Sequence, residues 1–137
     1  TPEDNRTDYI KRVIGLPGDK IMIDQGKIII NDQIISKQKI NDFIENTKSG
    51  NQKRLRQYKE FFYNLEFHVL DLSDNSIADN TPQYIVPENH FFVLGDNRDN
   101  SQDSRFLNKV GYIPMQNLVG KAQFVFFSLE NSRFFEI

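Results

Sequence analysis

The sequence predicts a single, mainly β domain built from antiparallel hairpins and interrupted by a polar, partly helical insertion. Short runs rich in Ile, Val and Phe, bounded by turn residues, occur towards both ends of the 137-residue chain. Between them, from residue 36 to about residue 80, Lys, Asn, Gln and Glu dominate. We interpret residues 36–83 as the insertion.

Composition supports a folded core and excludes several classes of function. The chain is 38% hydrophobic and contains 12 Phe, which is enough apolar area for one core. Its net charge is only -2 and no long basic block occurs, so a nucleic-acid partner is not expected. It contains no cysteine, which excludes disulfides, thiolate metal sites and thiol catalysis.

The N-terminal third alternates strand and turn signals. Residues 9–14 predict a strand with Tyr9, Lys11 and Val13 on one face. Residues 15–19 form a turn rich in Gly and Pro. The β-rich runs at residues 20–24 and 27–31 are then separated by Gln25-Gly26, which predicts a two-residue hairpin.

The insertion predicts a helical segment, because Leu55, Tyr58, Phe62 and Leu65 are spaced like one face of a helix over residues 53–65. The β pattern then resumes. The remaining predicted strands cover residues 67–72, 84–86, 91–94, 112–114 and 118–127, with a final run at Phe134-Phe135.

The polar loop, residues 95–105, lies directly after an apolar run and holds three Asp and two Arg. Asp99, Ser101 and Asp103 have the spacing of the first three ligands of a helix-loop-helix calcium site. That template requires Gly where Ser104 stands and Glu where Val110 stands, so it argues against calcium. A network of charge-assisted hydrogen bonds and a plain solvated turn both remain open.

Lys11 also has two interpretations. It is either a surface charge or a general base, and a base must be neutral near pH 7. Burial beside Tyr9 and Val13 would favour the neutral amine, because desolvation disfavours the ammonium. His68 and His90 carry no metal-ligand spacing, and no Gly-x-Ser-x-Gly or phosphate-binding loop occurs. We therefore predict no metal and no cofactor.

Two motifs together resemble the bacterial type I signal peptidases, membrane proteases that remove signal peptides from exported proteins. The motifs are Tyr-Ile-Lys-Arg-Val-Ile-Gly-Leu-Pro-Gly-Asp at residues 9–19 and the polar loop, and residues 111–121 add a weaker match. The resemblance implies a signal-peptidase-like antiparallel β-sheet or partial barrel. Residues 1–35 and 84–137 would form this catalytic core, and residues 36–83 the variable insertion.

The resemblance also implies residue roles in a serine-lysine protease without a cofactor. Lys11 matches the general base, and Ser101 matches the hydroxyl that orients it. Tyr9 and Ile10 match residues that line the cleft for the signal peptide.

Two ion pairs would support this site. Asp103 and Arg105 match the first pair, and Arg12 with Asp96 would form the second. Neither pair includes Arg98, which the sequence places only as a further donor in the loop.

The family's nucleophilic serine lies in a Ser-Met-x-Pro segment upstream of the lysine, and the ten residues before Lys11 contain no serine. We therefore expect a piece of a longer protein, inactive alone, whose upstream membrane anchor places the catalytic domain on the outer face of the bacterial inner membrane. Two alternatives stay open: a self-cleaving, repressor-like serine-lysine protease and a noncatalytic peptide-binding module.

Overall fold

The computed structural model describes residues 9–73 and 75–121, and within these ranges the chain is built almost entirely from short β-strands. Neighbouring strands pair in antiparallel fashion, which confirms a mainly β, antiparallel fold. The partial barrel and the division at residues 36–83 stay predictions. No helix in the described part of the chain is long and apolar enough to cross a lipid bilayer.

The strands form four small sheets. In chain order they are β1 Arg12–Gly15, β2 Lys20–Asp24, β3 Lys27–Ile30, β4 Gln33–Ile34, β5 Ser36–Lys39, β6 Phe43–Asn46, β7 Gln52–Leu55, β8 Gln57–Phe62, β9 Leu65–Leu70, β10 Tyr84–Ile85, β11 His90–Leu94 and β12 Ile113–Pro114. The sheet orders are β1-β11-β12, β10-β2-β3-β4, β5-β8-β9 and β6-β7. The insertion supplies the last two sheets.

The hairpin predicted around Gln25-Gly26 is confirmed as β2 and β3. Both turn residues adopt positive φ, 48° for Gln25 and 72° for Gly26. A two-residue turn with positive φ at both central residues has a twist that matches the twist of the paired strands. Glycine adopts positive φ without steric cost. The turn therefore sets the register of the pairing that follows.

The main core lies between the first two sheets. Its buried members are apolar residues at alternating positions, namely Ile14, Ile21, Ile23, Ile28, Ile30, Tyr84, Val86, Phe92 and Leu94. A Cβ at Gly15 would lie 3.0 Å from the Ile21 side chain and 3.1 Å from Phe92 Cβ. Gly15 therefore lets β1 approach the core closely.

The prediction of a helix over residues 53–65 is wrong. This segment forms β7, β8 and the turn into β9. The backbone of β8 has a hydrogen-bonding partner on each side, β5 and β9. Its Tyr and Phe residues suit a half-buried sheet, and such pairing overrides a helical spacing of apolar residues. In the described residues, helix is limited to one-turn 3₁₀ segments at Ile77–Asp79 and Met115–Asn117.

Other boundaries differ by a few residues. The predicted strand over residues 9–14 begins only at Arg12 and runs through Gly15, so the turn starts one residue later. Residues 118–121 are not in a strand. The rest of the strand predicted over residues 118–127, and the run at Phe134-Phe135, lie outside the described residues.

We expect Phe92→Ala to lower the free energy of unfolding by about 3–5 kcal/mol, because it leaves a cavity at a side chain that is 0% exposed in the core. Ile77→Ala, at a position 93% exposed, is the control and should change stability by less than about 0.5 kcal/mol. Urea denaturation of both variants measures the difference. Equal stabilities would contradict this description of the core.

Candidate active site

The pairing of β1 with β11 places Lys11 beside the polar loop. Arg12 lies opposite Leu94 in this antiparallel register. Lys11 precedes Arg12 and Gly95 follows Leu94, so continuation of the register brings Lys11 opposite the first residue of the loop. Two segments far apart in sequence therefore meet at the end of one strand pair.

Lys11 contacts Ser101 directly. Its Nζ donates a hydrogen bond to Ser101 Oγ at 2.7 Å, and Ser101 is buried. Burial lowers the pKa of Lys11 below its usual 10.5; the nearby charge of Asp103 opposes this change and that of Arg105 adds to it. The amine is thus shifted towards the neutral form, which a general base requires.

The burial of Lys11 does not come from the two neighbours that the predicted strand placed on its face. Tyr9 and Val13 are 56% and 36% exposed, so the condition of burial beside them is not met. Only Arg12 onwards belongs to the strand, which removes the strict alternation on which that face depended. The Tyr9 ring centre still lies 5.7 Å from Lys11 Nζ.

The lowered pKa also has a consequence for stability. An unfolded chain binds the Lys11 proton more tightly than the folded chain, so this residue opposes folding at neutral pH. That cost is largest below the folded pKa and disappears as the pH rises through 10.5. Other interactions of the fold must therefore offset the cost of burying the Lys11 ammonium.

The ion pair of Asp103 with Arg105 is fully buried in the polar loop. Arg105 donates from Nε to Asp103 Oδ1 and from Nη2 to Oδ2, both at 2.8 Å. Asp103 Oδ2 also accepts from the Gly95 backbone N–H at 3.0 Å, and Ser104 Oγ accepts from the Val93 N–H at 2.9 Å. The loop is thereby closed onto the end of β11, which favours the network interpretation over a plain solvated turn.

Arg12 and Asp96 form the second pair. Arg12 donates from Nε and Nη2 to the two carboxylate oxygens of Asp96, each at 2.8 Å. This hydrogen bonding raises the pKa of Arg12, so its charge is retained. Its guanidinium also lies 3.9 Å from the centre of the Phe67 ring, a cation–π contact with the insertion.

Glu60 belongs to this site, although no sequence motif indicated it. Its carboxylate accepts hydrogen bonds from Arg98 Nη1 and Nη2, both at 2.6 Å, and Glu60 and Arg98 are only 1% and 3% exposed. In a strand, alternation places Glu60 on one face with Tyr58 and Phe62. That pattern would have indicated an inward-facing acid, but the helical interpretation of this segment concealed it.

Tyr9 and Ile10 precede β1 and are 56% and 49% exposed. β1 pairs with β11 and is the outer strand of its sheet among the described residues. An exposed aromatic and an exposed aliphatic side chain next to an outer strand suit binding of an extended peptide. Their role in substrate binding stays a prediction.

The residues with calcium-like spacing have separate partners. Asp99 Oδ2 accepts from the backbone N–H groups of Leu72 and Ser73 at 2.7 Å, whereas Ser101 and Asp103 bind Lys11 and Arg105.

Asp99 also belongs to a second group of acidic residues, with Asp71 and Asp79. One carboxylate oxygen of each lies within 4.8 Å of the others, which is close enough to hold a cation. The ammonium of Lys37 is bonded to Asp71 and supplies a positive charge there. We assign no metal role to this group.

Comparison with known proteins identifies the family. A family model described as signal peptidase, peptidase S26, matches residues 1–127. The signal peptidases I of Rickettsia typhi and Rickettsia bellii are each 38% identical to the chain over 135 residues, which is 93% of this chain and 48% and 44% of theirs. The chain thus spans about half the length of the curated relatives it matches.

A crystal structure of a signal peptidase I from Enterococcus faecalis is 24% identical, with a TM-score of 0.45 over 82% of this chain and 80% of that one. The family model covers most of the chain, and it includes both Lys11 and the whole polar loop. The chain belongs to the signal peptidase family, peptidase S26.

Proposed function

We propose that this chain carries the lysine half of a serine-lysine endopeptidase that removes N-terminal signal peptides from exported preproteins. The observation that carries the proposal is the 2.7 Å contact of Lys11 Nζ with the buried Ser101 Oγ, made by an amine whose pKa is lowered by burial. Membership of the signal peptidase family supplies the substrate class.

Lys11 acts as the general base and later as the general acid. Its neutral amine removes the proton from a serine hydroxyl as that oxygen attacks the scissile carbonyl. The resulting ammonium then gives the proton to the departing amine, which leaves an acyl-enzyme for hydrolysis by water. From the family pattern, the nucleophile is a serine that precedes Lys11 in the complete reading frame.

Ser101 orients the base rather than attacking the substrate. A lysine side chain has many rotamers, and one fixed hydrogen bond to a buried hydroxyl restricts its Nζ to a single position. Tyr9 and Ile10 contact the signal peptide next to the scissile bond. The complete protein works at the bacterial inner membrane, with this domain on the outer face.

We expect Lys11→Ala, in the complete reading frame, to reduce preprotein cleavage by about a hundredfold or more, because the nucleophile loses its base. Lys20→Ala is the matched control, since Lys20 is an exposed lysine in the next strand. Cleavage is measured by the gel shift of a purified preprotein. Undiminished cleavage by Lys11→Ala would reject the assigned base, whereas absence of cleavage by the parent would favour a noncatalytic peptide-binding module.

We expect Ser101→Ala to lower kcat by about tenfold or more while KM changes little, because a freely moving amine spends less time in the reactive position. Ser49→Ala, in an exposed turn, is the control for loss of a hydroxyl. Steady-state kinetics at equal folded fraction measure the effect. A kcat equal to that of the parent would exclude an orienting role.

We expect kcat/KM to rise with pH and to reach half its plateau below pH 10.5, because only the neutral form of Lys11 accepts a proton and burial lowers its pKa. A pH–rate profile of the complete enzyme measures this acidic limb. A half-plateau at or above pH 10.5 would show that the pKa of Lys11 is not lowered, which contradicts its role as the general base.

A further inference from the structure

We propose that Glu60, a residue of the insertion, is a positioning residue for the contact between Lys11 and Ser101. The inference rests on the proposed function, and it gives the insertion a part in setting the geometry of the general base. It is carried by three observations: a buried carboxylate–guanidinium pair, a short series of contacts to the loop, and backbone bonds that hold the same loop to β9.

The first observation is the pairing of Glu60 with Arg98. Both carboxylate oxygens accept from the guanidinium at 2.6 Å, and both residues are nearly inaccessible to solvent. A bidentate pair fixes direction as well as distance. Arg98 Nε also donates to the Gly95 carbonyl at 3.2 Å, so the same guanidinium connects the insertion to the first residue of the polar loop.

The second observation is a series of hydrogen bonds that joins Arg98 to the part of the polar loop next to Ser101. The carbonyl of Arg98 accepts a hydrogen bond from Arg105 Nη2, and Arg105 forms the buried fork with Asp103. Asp103 is two residues from Ser101. Movement of Arg98 therefore changes the position of Arg105 and Asp103, the pair that follows Ser101 in the loop and whose charges act on Lys11.

The third observation is a pair of backbone hydrogen bonds that hold the polar loop to β9 without the Glu60 side chain. The Leu70 N–H donates to the Asp96 carbonyl and the Arg98 N–H to the Leu70 carbonyl, both at 2.8 Å. These backbone bonds hold the loop to β9 whichever side chain stands at residue 60. Loss of the Glu60 charge should therefore loosen the orientation of the loop while the protein stays folded.

The test uses Glu60→Gln in the complete reading frame. Glutamine keeps the size of the side chain but removes the negative charge that pairs with Arg98. Looser packing admits water to Lys11, which reduces its desolvation and raises its pKa. We expect the acidic limb of kcat/KM to move up by about half a pH unit or more. We also expect kcat to fall about tenfold with KM changed less than about twofold.

Glu66→Gln is the matched control. Glu66 lies on the neighbouring strand β9 and pairs with Lys59 at 2.8 Å, but its side chain is 50% exposed. It loses the same charge and should keep the parental pH profile. A parental profile for Glu60→Gln, at an equal folded fraction, would overturn the proposal.

A second variant guards against a purely structural effect. Glu60→Leu combined with Arg98→Met replaces the pair with apolar side chains, an exchange that often restores stability. We expect the pH limb to remain displaced in this double variant, because it lacks both the bidentate contact and the Arg98 hydrogen bond to the Gly95 carbonyl, so the loop beside Lys11 is still not held in its parental orientation. Return of the parental limb would mean that Glu60 acts only through stability.

A readout without catalysis distinguishes failure of this inference from failure of the proposed function. The rate of Lys11 acetylation by acetic anhydride is followed against pH by peptide mass spectrometry in the complete protein. We expect the amine of Lys11 to titrate at higher pH in Glu60→Gln than in the parent and in Glu66→Gln. Identical curves would reject the role of Glu60, whether or not the complete enzyme cleaves preproteins.

Discussion

The hydrogen bond between Lys11 and Ser101 is the contact on which the rest of this site depends. It joins residues 90 positions apart, and a lysine side chain loses about 2 kcal/mol of rotamer entropy when it is held in one conformation. Both ends must therefore be fixed by other parts of the fold. The pairing of β1 with β11 fixes the lysine end, and the closed polar loop fixes the serine end.

The polar loop meets this requirement with buried charge. Arg105 and Arg98 are bound by bidentate carboxylates in places almost without solvent, where an unpaired charge would be costly. Pairs of this kind add little stability compared with apolar packing of the same volume. What they supply is direction, because each fork allows only a narrow range of orientations.

The sequence allowed the apolar framework to be predicted better than the insertion. The β2–β3 hairpin and β11 follow from local signals, a glycine turn and a short apolar run, which act over a few residues. Glu60 could not be placed in the same way, because its partner is 38 positions away and its strand pairs with two others. The spacing of Leu55, Tyr58, Phe62 and Leu65 suits a helix locally, and only the tertiary pairing of β8 decides against it.

The charge balance around Lys11 explains why its neighbours must remain paired. Asp103 alone would favour the ammonium form and raise the pKa of Lys11, which would remove its capacity as a base. Arg105 opposes that effect, and its fork holds the two charges within 2.8 Å of each other. At the position of Lys11 the pair then acts more like a dipole than a net charge. Burial is left as the main determinant of the lysine pKa, so the residues that keep water and unpaired charge away from the loop also set the state of the base.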